Sequence, residues 1–179
     1  MINLRKASVK RLKKTELRLI FELMKNSRRS DRTLAKALHV SQPTVSRMLA
    51  RLWKEGIIKE YTMIPDLSKL GFTLLAVTLI KPRANLPAEA TAEARTRTKR
   101  DLEQRKDIMM LERGIGMGSD GVILSVHKDY SEFLDMRKWL EEFLGSSDIQ
   151  SFLVNLQDEA RYRPLTLSLL GEQLLQTNQ

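Results

Sequence analysis

The chain has 179 residues, 42% of them hydrophobic, and a formal net charge of +9. This length allows one large domain or two small ones. Cysteine is absent, which excludes disulfide bonds and thiolate metal sites. The longest apolar run, Leu74 to Ile80, is too short to span a bilayer, and no signal-peptide pattern is visible. These features predict a soluble, cytoplasmic protein without a membrane partner.

The basic excess lies entirely in the first part of the chain. Residues 1–64 contain 16 Lys and Arg against 5 Asp and Glu, a net of +11, whereas residues 65–179 carry −2. Such a local excess attracts polyanions and releases counterions when it binds them. The first fourteen residues hold six basic and no acidic side chains. This arm either follows a DNA backbone or is a solvated, frayed terminus, and the sequence leaves both open.

Three helices are predicted in this basic part. The first runs from about Lys14 to Lys25, where apolar residues recur at the spacing of one helix face. Those apolar residues are Leu17, Ile20, Phe21 and Met24. The second helix follows Ser30 or Asp31, since either residue can cap it.

A short polar turn, His39-Val40-Ser41, joins the second helix to the third. Ser41 is a suitable N-cap, and Pro43 lies in the first turn, where its missing N–H is tolerated. Gly56 marks the end of the helix. Two helices joined in this way predict a helix-turn-helix, whose second helix enters the major groove of DNA.

The third helix has an apolar stripe and a basic outer face. The stripe consists of Val45, Met48, Leu49 and Leu52. Polar side chains near the start of the helix are expected to meet base edges, Arg47 can bind guanine or a phosphate, and later cations are expected to contact phosphates. The predicted DNA-binding residues are Gln42, Thr44, Ser46, Arg47, Arg51 and Lys54. The alternative is an ordinary solvated face on a core helix.

Strand and helix patterns alternate in the rest of the chain. Ile57–Ile64 is expected to form a strand that serves as a wing or a hinge. Further strands are predicted at Phe72–Ile80, Ile108–Leu111, Val122–Val126 and Ile149–Leu156, and helices at Ala88–Lys106 and Tyr130–Leu144. The β-α-β-β-α-β order is ferredoxin-like: a four-stranded antiparallel sheet with both helices on one face. The open face of that sheet predicts self-association.

The predicted fold class is therefore α+β. A winged helix-turn-helix domain with its basic arm occupies residues 1–64, a linker strand or hinge 65–71, a ferredoxin-like domain 72–156 and a C-terminal extension 157–179.

A glycine-rich segment lies between two predicted strands. Residues 116–121, GMGSDG, match the dinucleotide pattern GxGxxG, but the strand-like VILSV follows where that motif needs a helix. A tight turn between strands is the first interpretation. A small-ligand loop is the second, because exposed N–H groups near Asp120 could hold a zwitterion. The candidate effector-binding residues are Gly116, Gly118, Ser119 and Asp120.

Neither histidine predicts catalysis. His39 lies in the helix-turn-helix turn and is expected to be exposed, and His127 ends an apolar strand and is expected to be structural. No cluster of His, Asp and Glu has the spacing of metal ligands, and no nucleophile and base can be paired from spacing. The sequence predicts no catalytic residues, no metal and no cofactor.

The sequence resembles the Lrp/AsnC family of prokaryotic transcriptional regulators over residues 12–156. The segment LAKALHVSQPTVSRMLARLWKEGIIKEY resembles the family's helix-turn-helix and following strand, and GMGSDGVILSV resembles a loop and strand of its ligand-sensing domain. The residues that match the start of the recognition helix are Ser41, Gln42, Thr44, Val45, Ser46 and Arg47. The stretch 82–106 is longer than the family's first sensor helix and its lead-in.

The resemblance implies a sequence-specific regulator that binds double-stranded DNA as a homodimer and assembles further. It also implies an effector, often an amino acid, bound between sensor domains at the glycine loop. One alternative is an architectural, nucleoid-type protein. It would differ from a specific regulator only in the ratio of its affinity for specific sites to its affinity for other DNA. Another is an enzyme similar to the family's tetrapyrrole decarboxylases, which would need a histidine in a basic pocket, and only His127 is available for that.

Overall fold

The computed structural model describes residues 12–81, 100–101, 104–144 and 148–159, together with Thr166, Leu167 and Leu170. The chain divides between Ile64 and Pro65 into two compact units. The basic arm over 1–11 and most of the C-terminal extension lie outside the described residues. So does most of the predicted helix over 88–106, of which Arg100, Asp101 and Gln104 are helical.

The first unit is built on three helices: α1 (Lys14–Lys25), α2 (Asp31–Leu38) and α3 (Gln42–Lys54). The apolar spacing predicted the bounds of these helices correctly, because each buries one stripe in a shared core. The stripe predicted for α1 was partly wrong: Leu19 is fully buried, whereas Phe21 and Met24 are only half-buried, because packing against α2 and α3 decides which side of α1 faces the core. The buried core residues are Leu19, Leu34, Ala35, Leu38, Val45 and Leu52.

The strand predicted over Ile57–Ile64 is wrong. In the described part of the chain, no residue of this segment belongs to a ladder. The N–H groups of Ile57 and Ile58 instead donate to the carbonyl of Leu52 at 2.9 and 3.2 Å, which completes the end of α3. β-Branched residues favour a strand only where a neighbouring strand receives their hydrogen bonds, and the described chain offers none here.

The second unit contains a four-stranded antiparallel sheet in the order β2-β3-β1-β4. Its elements are β1 (Leu74–Lys81), β2 (Ile108–Gly116), β3 (Ser119–His127), α4 (Tyr130–Leu144) and β4 (Asp148–Asn155). The order and pairing confirm the ferredoxin-like prediction. A short 3₁₀ helix over Leu67–Leu70 precedes the sheet and is capped by Asp66, which accepts from the N–H of Ser68 at 3.2 Å.

Helix α4 covers one face of this sheet. The core between them consists of Ala76, Ile80, Ile123 and Ile149 from the sheet, with Phe133, Met136 and Leu140 from α4. Residues paired directly across strands share a face, so Val77 lies between Leu124 and Phe152 on the opposite face. Phe152 is 71% exposed. Among the described residues of this unit, no helix covers that apolar face.

Candidate DNA interface

Serine caps set the start of both helices in the helix-turn-helix. Ser30 Oγ accepts from the N–H of Thr33 at 3.2 Å, so Ser30 and not Asp31 caps α2. Ser41 Oγ accepts from the N–H of Thr44 at 3.4 Å at the start of α3. His39 is exposed and ends α2 with a left-handed φ of 56°, which turns the chain between the two helices.

The outer face of α3 is exposed as the sequence pattern predicted. Gln42, Ser46, Arg47 and Lys54 are exposed, while Thr44 is half-buried. On the opposite side, the stripe of Val45, Met48, Leu49 and Leu52 packs into the core. The helix therefore presents hydrogen-bonding groups at its N-terminal end, the cation of Arg47 near the middle of its outer face and the cation of Lys54 at its C-terminal end.

Arg47 carries a charge that the described residues do not neutralise. Its Nε donates to the carbonyl of Pro43 at 3.3 Å, and its Nη2 lies 3.5 Å from Thr44 Oγ1. Neither group is charged, and no described carboxylate forms an ion pair with Arg47. The guanidinium can therefore engage guanine or a phosphate without breaking an ion pair.

Arg51, which the sequence predicted as a phosphate contact, has partners inside the domain. Its Nη2 lies 2.5 Å from Glu16 Oε1 on α1, and its Nε lies 3.8 Å from Glu55 Oε1. The Glu16 side chain is 3% exposed and also accepts from the N–H of Lys13 at 2.9 Å. A buried carboxylate needs this cation, so the contacts of Arg51 assign it to joining α3 and α1.

Two contacts near the predicted site, a hydrogen bond of Asp31 and a stacked aromatic pair, were not predicted from the sequence. Ser46 Oγ donates to Asp31 Oδ2 at 2.6 Å, a bond between α3 and α2 that sequence spacing does not reveal. Trp53 stacks on Tyr61 with ring centroids 5.7 Å apart, and both are about half exposed. Trp53 could have been found from its spacing, because it follows Ser46 by two helical turns. Burial, followed by the charge of Asp31, raises the pKa of Tyr61.

The glycine-rich segment forms the tip of the β2–β3 hairpin. Gly116 pairs with Ser119, and the turn residues Met117 and Gly118 have φ values of 51° and 70°. Positive φ at both central positions is the geometry of a tight hairpin turn. The predicted turn is confirmed, and β3 follows it, so the dinucleotide reading stays rejected. Asp120 is exposed, and the effector role of this loop stays a prediction.

His127 is fully buried, as expected of a structural residue. Its Nε2 lies 2.9 Å from Ser125 Oγ, and its ring meets Phe133 edge-on. Burial lowers the pKa of His127, and the nearby charges, including Asp107, only partly oppose this effect. Within the described ranges, no group of three or more His, Cys, Asp or Glu could hold a metal, and no helix is long and apolar enough to cross a membrane.

Comparison with known proteins agrees with this geometry. A family model described as winged helix-turn-helix DNA-binding matches residues 12–59. The HTH-type transcriptional regulator PH0061 of Pyrococcus horikoshii is 31% identical over 148 residues, which cover 82% of this chain and 95% of that protein. The HTH-type transcriptional regulator LrpC of Bacillus subtilis is 37% identical over 67 residues, covering 37% of this chain and 46% of LrpC.

The chain belongs to the Lrp/AsnC family of transcriptional regulators. This Lrp/AsnC regulator also shares the fold of solved structures. It matches the crystal structure of PH0061 with a TM-score of 0.70 at 23% identity, over 87% of this chain and 97% of that one. It matches the Neisseria meningitidis regulator NMB0573, solved as an L-Met complex, with a TM-score of 0.67 at 19% identity, over 89% of this chain and 99% of that one.

Proposed function

We propose that this Lrp/AsnC regulator recognises specific DNA sequences through α3 and acts as a homodimer or higher oligomer. The observation that carries the proposal is Arg47, whose exposed guanidinium has no carboxylate partner among the described residues, whereas Arg29 and Arg51 are both ion-paired. A cation left unpaired on the outer face of a recognition helix is available to a base or a phosphate.

The residues divide by position along α3. Gln42, Thr44 and Ser46 lie on the N-terminal turns and are proposed to meet base edges. Arg47 is proposed to contact guanine or a phosphate, and Lys54, near the other end of the helix, a phosphate. We assign Arg51 to holding α3 against α1, because Glu16 already binds its guanidinium.

Self-association is proposed through the open face of the sheet. That face carries paired apolar side chains, including Val77, Leu124 and Phe152. Burying them against a second copy removes apolar area from water, and each Å² of such area contributes about 25 cal/mol. A two-fold dimer also presents two recognition helices to the half-sites of a palindromic operator.

A small effector, for instance an amino acid, is proposed to bind near the β2–β3 hairpin, at Gly116, Gly118, Ser119 and Asp120. The L-Met complex of the Neisseria regulator supports an amino acid ligand by analogy only.

Catalysis is not part of the proposed function. The named relatives are transcriptional regulators. A decarboxylase-like reaction would need the His127 ring to face a pocket, and that ring is fully buried. The architectural alternative shares the exposed basic face and differs in its ratio of specific to non-specific affinity.

In vitro selection of DNA sites at one fixed salt concentration tests the proposal, because salt alone changes all protein–DNA affinities. An enriched sequence with two-fold symmetry is expected. A flat profile would favour the architectural function.

A further inference from the structure

We infer that Ser46 acts on DNA only as a hydrogen-bond acceptor, because the carboxylate of Asp31 already accepts its one hydrogen. Its DNA partner is then an exocyclic amino group, N6 of adenine or N4 of cytosine. This inference rests on the proposed function, since it assumes that α3 lies in the major groove.

Two contacts fix the hydrogen of Ser46. Its Oγ lies 2.6 Å from Asp31 Oδ2 and 3.2 Å from the carbonyl oxygen of Gln42. A carboxylate and a backbone carbonyl both accept and cannot donate, so Ser46 is the donor in either contact. A hydroxyl has one hydrogen. The shorter bond goes to a charged acceptor and is the stronger of the two.

The oxygen of Ser46 still has acceptor capacity toward solvent. The side chain is exposed on the outer face of α3, while Asp31 is half-buried in the first turn of α2. In the major groove, only the amino groups of adenine and cytosine can donate to such an oxygen. Guanine and thymine present acceptors, N7, O6 and O4, which do not bond to an acceptor. Asp31 is thus a positioning residue that acts through Ser46.

A simpler role for the same hydrogen bond is to stabilise the packing of α2 against α3. In that case, losing the bond would lower the free energy of unfolding, but it would not change which base atoms affect the affinity for DNA. The test must therefore measure the response to single atoms of the DNA.

The experiment begins with site selection by the parent protein and by Ser46→Ala, which identifies the base pair whose preference depends on Ser46. At that pair, the amino-bearing base is replaced by an analogue without its exocyclic amino group: purine for adenine or 2-pyrimidinone for cytosine. The parent should lose about three- to tenfold in affinity, and Ser46→Ala should lose nothing further.

A second probe removes an acceptor and keeps the amino group. A 7-deazapurine at the same pair should change the affinities of the parent and of Ser46→Ala by equal factors. The inference is overturned if amino-group deletion affects both proteins equally, or if the 7-deaza substitution causes a loss that depends on Ser46.

Variants of Asp31 test its part. Asp31→Ala releases the hydrogen of Ser46 toward base acceptors, although the Gln42 carbonyl still competes for it. The preference at the Ser46-dependent pair should therefore broaden. Asp135→Ala removes the same charge from an exposed position on α4 and should keep the parent profile. Circular dichroism confirms that each variant is folded, and an unchanged profile for folded Asp31→Ala overturns the role of Asp31.

The proposed function and the role of Ser46 are contradicted by different results. A parent protein that selects no site contradicts the proposed function. A selected site that depends on Arg47 and not on Ser46 contradicts only this inference.

Discussion

At the residue scale, two arginines one turn apart on α3 have different surroundings. Arg47 contacts only uncharged groups, whereas Arg51 lies against the buried carboxylate of Glu16. From helical spacing, both were predicted to contact DNA, Arg47 from the outer face of α3 and Arg51 from its flank. The partner on α1 could not be predicted, because the packing of α1 against α3 sets that contact and local spacing does not.

Arg51→Ala should lower the free energy of unfolding by about 1–3 kcal/mol, because Glu16 would keep a buried charge without its cation. The Arg51 side chain is 40% exposed, which keeps the expected loss below that of a fully buried pair. Urea denaturation measures the change.

Lys54→Ala is the control and should stay within about 0.5 kcal/mol of the parent, because Lys54 is exposed. The double variant Glu16→Gln with Arg51→Ala should regain part of the stability. Equal unfolding free energies for the parent and Arg51→Ala would contradict the assignment.

His127 should make stability depend on pH. Burial lowers its folded-state pKa, whereas the unfolded chain has the ordinary value of about 6.5. As the pH falls through about 6.5, the unfolded state takes up the proton first, so the free energy of unfolding decreases. The contribution is at most about 1.4 kcal/mol per pH unit, and it is fully present above about pH 6.5.

Denaturation of the parent and His127→Gln at several values between about pH 5 and pH 7.5 checks this expectation. The variant should be less stable at neutral pH and should show a flatter pH dependence. Parallel pH profiles for the parent and His127→Gln would be inconsistent with a buried neutral imidazole.

At the element scale, local chemistry predicted most of the fold. Serine caps and apolar stripes predicted α2 and α3, and apolar spacing alone predicted α1, whose N-cap is Lys13, because capping and amphipathicity act within one helix. β2 and β3 run further toward their turn than the apolar pattern indicated, since Met117 and Gly118 close a tight hairpin. The strand wrongly predicted over Ile57–Ile64 shows what a local sequence pattern cannot predict. A strand forms only beside a neighbouring strand, and the local pattern does not show whether one is present.

The β2–β3 hairpin carries the effector prediction. Amino acids and nucleotides are screened by thermal shift, and any ligand found is titrated against Asp120→Ala. We expect its affinity to fall by about tenfold, which is the loss of one charge-assisted hydrogen bond. Asp135→Ala on α4 is the matched control and should bind as the parent does. A ligand that binds Asp120→Ala with parental affinity would remove Asp120 from the site.

At the scale of the whole molecule, we expect the open face of the sheet to bind a second copy of the chain, because its apolar side chains are exposed to water. Phe152 is its most exposed large side chain and pairs across the sheet with Val77. Phe152→Asp should weaken self-association by at least about tenfold, because a charge would enter an apolar interface. Sedimentation across a range of concentrations measures the effect. Gln157→Asp adds the same charge at an exposed position beyond β4 and should leave assembly unchanged. If Phe152→Asp and the parent associate equally strongly, the self-association interface does not include this face of the sheet.

The affinity of Arg47→Ala for the selected duplex, measured beside the parent at one salt concentration, tests the central claim most directly. We predict a loss of about 1–3 kcal/mol and a relaxed preference at one base position in each half-site. Lys138→Ala removes an exposed cation from α4 and should bind as the parent does. Equal affinity and an identical base preference for Arg47→Ala and the parent would contradict sequence recognition through α3.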